Sequence, residues 1–89
     1  MNNVKRVTLT GDWEAITFNQ KAKNYFVKNY SEGDIFVSFE EDDDEDTSFK
    51  IKSGIGEQLA INQSALNKPE HNTDTIYIKG TGEVEVQQM

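Results

Sequence analysis

Residues 73–87, TDTIYIKGTGEVEVQ, contain two runs in which apolar and polar side chains alternate. In the first run Ile76 and Ile78 alternate with polar neighbours, and two valines repeat the pattern in the second. Successive side chains of a β-strand point to opposite faces, so each run predicts a half-buried strand. Gly80 and Gly82 lie between the runs and can supply the positive φ of a tight turn. The stretch predicts a C-terminal β-hairpin with one apolar face, which other strands must cover because a lone hairpin is only marginally stable.

The same alternation recurs through the rest of the chain. The predicted strands before the hairpin are residues 4–10, 13–18, 22–30, 35–39, 47–52 and 57–61. Residues 19–21 are expected to connect the second and third strands. Residues 31–34 form a turn around Gly33, which predicts a second hairpin. The aromatic and β-branched side chains of residues 25–30 favour a strand over the alternative of a helix, and residues 62–73 show no alternation and are expected to form a loop.

Seven or eight short strands separated by turn signals predict an all-β fold, a small antiparallel β-sandwich or barrel. The apolar side chains that fall on the inward phase of these strands predict the core. They are Val7, Leu9, Ile16, Phe18, Tyr25, Val27, Ile35, Val37, Phe39, Phe49, Ile51, Leu59, Ile61, Ile76, Ile78, Val84 and Val86.

Composition limits the class of protein. The 89 residues correspond to a single β domain, residues 1–89, of modest expected stability. The sequence has no cysteine, which excludes disulfides and thiolate chemistry. It has no apolar run of the length that a membrane span needs, and its first residues do not resemble a signal peptide. The apolar content of 35% is low, so the domain is expected either to borrow burial from another subunit or to be a small sandwich with polar loops.

The net charge of −7 comes from one segment, residues 40–46, EEDDDED. Outside this run the chain has nine acidic and nine basic residues, and no basic stripe that would indicate nucleic-acid binding. We interpret the run as a solvated loop that disfavours edge-to-edge aggregation. Two alternatives remain open: a docking patch for a basic partner, and a weak divalent-cation site. The oxygen ligands of such a cation site would come from Asp42, Asp43, Asp44 and Asp46.

No pattern for catalysis or a cofactor is present in the sequence. The single histidine, His71, lies in a polar segment with nothing to tie it to a nucleophile. The glycine pairs at residues 54–56 and 80–82 lack the strand-to-helix context of a phosphate-binding loop. One histidine without cysteine does not make a structural zinc site. We therefore expect a protein that is not an enzyme and that holds no cofactor.

Four segments resemble known proteins: residues 16–19 (ITFN), 25–31 (YFVKNYS), 34–39 (DIFVSF) and 74–87 (DTIYIKGTGEVEVQ). They resemble small β-rich proteins encoded by tailed bacteriophages and by prophages of Gram-positive bacteria. Those proteins are similar to head-fibre, head-decoration and other minor virion components. The resemblance extends over most of the chain from Trp13 onward and carries no catalytic motif.

The resemblance implies a structural protein of the virion head or tail that acts through protein–protein contacts, with other virion proteins or with itself as a homo-oligomer. It implies a location in the virion, and in the host cytoplasm during assembly, without nucleic-acid or membrane partners. The candidate contact residues are the aromatics outside the core phase, which are Trp13, Phe26, Tyr30, Phe36 and Tyr77. Alternatively, these aromatics fill a second layer of the core. A different function is also compatible with the sequence, a carbohydrate- or ligand-binding sandwich in which Trp13 and nearby tyrosines stack on the ligand.

Overall fold

A computed structural model describes residues 4–41, 43–60 and 73–88, and these residues form eight β-strands. The strands are β1 Val4–Thr10, β2 Glu14–Ala22, β3 Asn24–Asn29, β4 Ile35–Ser38, β5 Phe49–Ile51, β6 Gly56–Ala60, β7 Thr73–Lys79 and β8 Thr81–Gln88. Among these residues the structure contains no helix long and apolar enough to cross a membrane. The all-β class predicted from the alternation is confirmed.

The strands form two four-stranded antiparallel sheets. Sheet 1 has the order β1-β8-β3-β6, and sheet 2 has the order β2-β7-β4-β5. Consecutive strands alternate between the sheets, except that β4 pairs with β5. This order of eight strands is the jelly roll, a β-sandwich topology.

The two C-terminal strands are present and are joined by Gly80 alone, but they do not pair with each other as a hairpin would. Gly80 and Gly82 both have positive φ, 159° and 102°. They enter different sheets: β7 pairs with β2 and β4, while β8 pairs with β1 and β3. The turn at Gly80 is therefore a corner of the sandwich.

The predicted hairpin around Gly33 is wrong, because β3 lies in sheet 1 and β4 lies in sheet 2. The predicted connection at residues 19–21 is also wrong, since β2 continues to Ala22. The register of β2 against β7 shifts between Thr17 and Ala22. Residues 19–21 lie in this irregular part of the strand, and because they are polar and exposed their composition resembles that of a turn.

The core lies between the sheets and, among the described residues, consists of the predicted inward residues with one addition. The buried cluster contains Leu9, Ile16, Phe18, Ala22, Tyr25, Val27, Ile35, Val37, Ile51, Leu59, Ile76, Ile78, Val84 and Val86. Val7, Phe39 and Phe49 are partly buried against it. Ala22 is the one member that the alternation did not predict. Of the other predictions, Ile61, residues 62–72 of the predicted loop, His71 and Asp42 lie outside the described residues. The last residue of that predicted loop, Thr73, is instead the first residue of β7.

Tyr25 carries a polar group into this core and satisfies it there. Its hydroxyl donates to the carbonyl oxygen of Thr73 at 2.5 Å and accepts from the side-chain amide of Gln88 at 3.2 Å. Burial raises the pKa of Tyr25, although the hydrogen bond with Gln88 opposes the shift. The two bonds link β3 of sheet 1 to β7 of sheet 2 and to β8.

Candidate interaction surfaces

The five predicted contact aromatics lie on two different faces of the sandwich. Phe26, Phe36 and Tyr77 each stand between two buried neighbours of their own strand, so they point away from the core. Phe26 lies on sheet 1, with Tyr30 directly after its strand. Phe36 and Tyr77 lie on sheet 2, with Trp13 directly before β2. Tyr30 is exposed and the other four are half-buried.

The outer side of sheet 1 carries a groove formed by Phe26, Tyr30 and Ile55, which we call the sheet-1 groove. Its volume is about 240 Å³. Tyr30 is 54% exposed and Ile55 is 44% exposed, and apolar side chains that are exposed next to each other are a feature of interaction sites. The ring of Phe26 lies directly on Gly56, where a Cβ would come within 2.8 Å of the Phe26 Cε1 atom. Glycine at this position therefore lets the ring form the floor of the groove.

Backbone hydrogen bonds fix the walls of the sheet-1 groove. The Asn29 N–H donates to the carbonyl oxygen of Ile55 at 3.0 Å, and the Gly54 N–H donates to that of Asn29 at 2.9 Å. On the other side, the Tyr30 N–H donates to the carbonyl oxygen of Glu83 at 3.0 Å. The loop that carries Ile55 thus continues the pairing of β6 with β3, and Tyr30 is bound to β8.

Asn29 is the buried centre that holds these loops together, with 1% of its surface exposed. Its side-chain amide donates to the carbonyl oxygens of Gly33 at 2.8 Å and Ile51 at 3.1 Å. Its Oδ1 accepts from the N–H of Ser31 at 2.9 Å and from the Ser31 hydroxyl at 2.5 Å. The hydroxyl of Ser53 donates to the carbonyl oxygen of Ser31 at 2.6 Å. Every polar atom of the Asn29 side chain is bonded, so the groove is preformed.

Charged side chains continue from the groove across sheet 1. In the register of the sheet, Lys28 of β3 lies opposite Glu85 of β8, and Glu85 lies opposite Arg6 of β1. The Nε of Arg6 lies 3.1 Å from a carboxylate oxygen of Glu85, and this hydrogen bond is the main reason that the pKa of Arg6 is raised. The Nζ of Lys28 lies 5.8 Å from the centre of the Phe26 ring. An apolar groove with a charged border is the usual composition of a protein contact surface.

The outer side of sheet 2 carries the second group of aromatics. In the register of β4 against β7, Phe36 lies opposite Lys79, and Ser38 lies opposite Tyr77. Lys79 in turn forms an ion pair with Glu45 of the acidic loop at 3.0 Å. The acidic loop, residues 39–48 between β4 and β5, therefore reaches back to the face that holds Phe36 and Tyr77.

Hydrogen bonds order the acidic loop from within. The carboxylate of Asp43 accepts from the hydroxyl of Ser38 at 2.5 Å and from the hydroxyl of Thr47. These two bonds lower the pKa of Asp43. The Oδ1 of Asp44 accepts from the backbone N–H groups of Asp46 and Thr47 at 2.9 and 3.2 Å. Two of the acids named in the cation-site hypothesis thus stabilise the turn of the loop.

Within the described ranges, no three side chains of the His, Cys, Asp and Glu types gather in a way that could hold a metal ion. Of the four predicted cation ligands, Asp43, Asp44 and Asp46 lie within those ranges and Asp42 lies outside them.

Three residues of the sheet-1 groove and its supporting network were not predicted from the sequence: Asn29, Ser31 and Ile55. Asn29 and Ser31 have the composition of an ordinary strand end and turn. The sequence does contain a feature that could have indicated an exposed position for Ile55. This apolar residue lies between Gly54 and Gly56, outside every predicted strand.

Comparison with protein families, with curated proteins and with solved structures finds no match for this chain. The fold and the surfaces define it as a jelly-roll β-sandwich with a preformed apolar groove on one face and aromatic side chains on the other.

Proposed function

We propose that this chain is a non-enzymatic structural protein of a phage or prophage, a minor component of the virion head or tail that acts through protein–protein contacts. The observation that carries the proposal is the sheet-1 groove, in which Tyr30 and Ile55 expose about half of their surfaces on a framework fixed by Asn29. Binding to a preformed surface loses little conformational entropy, which favours a contact with a partner of defined shape.

The topology also supports this class of function. Jelly rolls are frequent in viral capsid domains, and they are also frequent in lectins. Because one fold hosts many functions, the choice between these classes depends on the surface. Apolar and aromatic side chains in a groove with a charged border favour a protein partner.

The first experiment asks whether the chain is part of a particle. Phage particles are purified from a culture that expresses the chain after prophage induction, and the chain is quantified by mass spectrometry. We expect a fixed number of copies per particle. Absence of the chain from intact particles would refute the virion role.

The second experiment asks whether the groove makes the contact. A double variant, Tyr30→Ser with Ile55→Ser, is compared with Tyr77→Ser, which makes the same change of tyrosine on the outer face of sheet 2. Circular dichroism verifies that each variant folds. We expect the groove variant to be lost from particles while Tyr77→Ser is retained, and the opposite pattern would place the contact on sheet 2.

The aromatics of sheet 2 favour a second candidate, a carbohydrate-binding domain. Phe36 and Tyr77 lie on one face, with Trp13 before the edge strand β2, and flat aromatic surfaces offer large contact area with little loss of entropy. This candidate predicts a saturable change in the fluorescence of Trp13 when soluble cell-wall glycans are added. A flat titration up to the solubility limit would eliminate it.

A further inference from the structure

A second cavity lies under the acidic loop, at the end of the sandwich where β4 and β5 separate. Its volume is about 350 Å³, and its lining includes Phe39, Phe49, Glu40 and Asp43. Cavities that bind small groups are usually of this size or larger. The cavity is separate from the sheet-1 groove, whose lining residues it does not share.

Two phenyl rings form the apolar part of this cavity. The centres of the Phe39 and Phe49 rings lie 6.3 Å apart, and their planes meet at 71°. Phe39 is held from behind by Tyr25, whose ring centre lies 5.8 Å away and which is fully buried. The rings thus form a corner that the core keeps in place, and each remains partly exposed because the cavity opens beside it.

The polar part of the cavity is negatively charged. Among the lining residues that the structure describes, both ionisable side chains, Glu40 and Asp43, are acids. Asp43 is fixed by hydrogen bonds from the hydroxyls of Ser38 and Thr47, which lower its pKa.

The nearby lysines do not neutralise these two acids. Lys50 lies 3.3 Å from Asp34, and Lys79 lies 3.0 Å from Glu45. In the described part of the chain neither Glu40 nor Asp43 forms a salt bridge, which leaves their charge to attract a cation from outside the chain.

We propose that this cavity receives the ammonium group of a lysine side chain from a partner protein. A cation is attracted to aromatic rings and to carboxylates, and side chains of both kinds line the cavity. A corner of two nearly perpendicular rings fits a compact ammonium group better than a planar guanidinium, which prefers to stack on a single ring. The proposal depends on the proposed function only for the source of the lysine, a protein partner.

The binding experiment is an NMR titration of the ¹⁵N-labelled protein with Nα-acetyl-lysine methylamide. We expect saturable shifts of the amide signals of Phe39, Glu40 and Phe49 in the millimolar range, with the signals of Tyr30 and Ile55 unchanged. The same compound with an acetylated side-chain nitrogen lacks the charge and should cause no shift. Equal shifts from both compounds would overturn the proposal.

Two further compounds test the identity of the ligand. Tighter binding of the arginine analogue would overturn the choice of ammonium over guanidinium. Binding of n-butylammonium without binding of the lysine compound would assign the cavity to a free amine. These results do not depend on particles, so failure of this proposal and failure of the virion role can be told apart.

A matched pair of variants locates the charge. Glu40→Gln and Glu41→Gln remove the same charge from adjacent positions of the loop, but only Glu40 lines the cavity. We expect Glu40→Gln to weaken binding about five-fold and Glu41→Gln to weaken it less than about two-fold. Phe49→Leu should also weaken binding while the protein stays folded. Equal effects of the two glutamate variants would indicate general attraction to the acidic loop and would overturn the site.

Discussion

Replacement of Asn29 by alanine tests the network that shapes the sheet-1 groove. Asn29 is fully buried, and its side chain bonds to three residues, Gly33, Ile51 and Ser31. The carbonyl oxygen of Gly33 would keep a donor in the hydroxyl of Ser31 at 2.8 Å. The carbonyl oxygen of Ile51 and the N–H of Ser31 would each lose the side-chain partner that Asn29 provides. Ile51 is 0% exposed and Ser31 is 6% exposed, so water cannot readily replace the lost bonds.

The expected loss follows from these two groups. A buried polar group without a partner costs about 1–3 kcal/mol, so the two together should lower the free energy of unfolding of Asn29→Ala by about 2–6 kcal/mol. A domain of this length has a total stability of roughly 5–13 kcal/mol, so the variant should lose a large part of its stability.

Urea unfolding followed by circular dichroism measures the loss. The control is Asn24→Ala, which makes the same change at the other end of β3, where the side chain is only half-buried. We expect the control to cost less than about 1 kcal/mol. A loss below about 1 kcal/mol for Asn29→Ala, or equal losses for the two variants, would refute the reasoning.

Three further predictions address the corner, the acidic loop and the groove. Gly82→Ala should lower the free energy of unfolding by about 2–4 kcal/mol, because φ is 102° and the new Cβ would lie 2.6 Å from that of Ser31. Gly33→Ala meets nothing within 4 Å; a similar loss there, in the same urea assay, would contradict this explanation. The lowered pKa of Asp43 means that its stabilising effect is complete above the usual aspartate pKa of about 3.9 and is lost as the pH falls through the lowered value. The difference in unfolding free energy between the wild type and Asp43→Asn should therefore shrink as the pH falls from about 5 to about 2. A difference that stays constant over this range would exclude a stabilising role for the ionised Asp43. Light scattering after size exclusion should give a defined oligomer for the wild type and a smaller mass for Tyr30→Ser; an oligomer unchanged by the variant would place the self-contact elsewhere.

The alternation of side chains predicted the approximate positions of the strands, apart from the extension of β2 to Ala22, and every described core residue except Ala22. Ile76, Ile78, Val84 and Val86 are all fully buried, as their period of two required. The same alternation could not give the pairing of strands. Two consecutive strands present the same apolar pattern whether they lie side by side in one sheet or face each other across the core. For this reason the turn around Gly33 was mistaken for a hairpin, although the chain crosses from sheet 1 to sheet 2 there.

The surfaces were predictable only in part. Phe26, Phe36 and Tyr77 were identified because they fall on the outward phase of strands that were correctly placed. Their division between two faces depends on strand order, which a period of two does not contain. The cavity beside Phe39 and Phe49 was not foreseen, since it arises where β4 and β5 separate and the acidic loop folds back.

The sheet-1 groove as a protein contact within a phage particle is the central claim, and photo-crosslinking from position 30 tests it most directly. Tyr30 is replaced by benzoylphenylalanine, the variant is incorporated into particles, and the purified particles are irradiated. A second variant carries the same group at Lys21, an exposed position of β2 in sheet 2. We expect a discrete adduct from position 30, with this chain or another particle protein, and none from position 21. Particles that contain the chain but give no adduct from position 30 would contradict the groove as the contact, and particles that lack the chain would contradict the virion role itself.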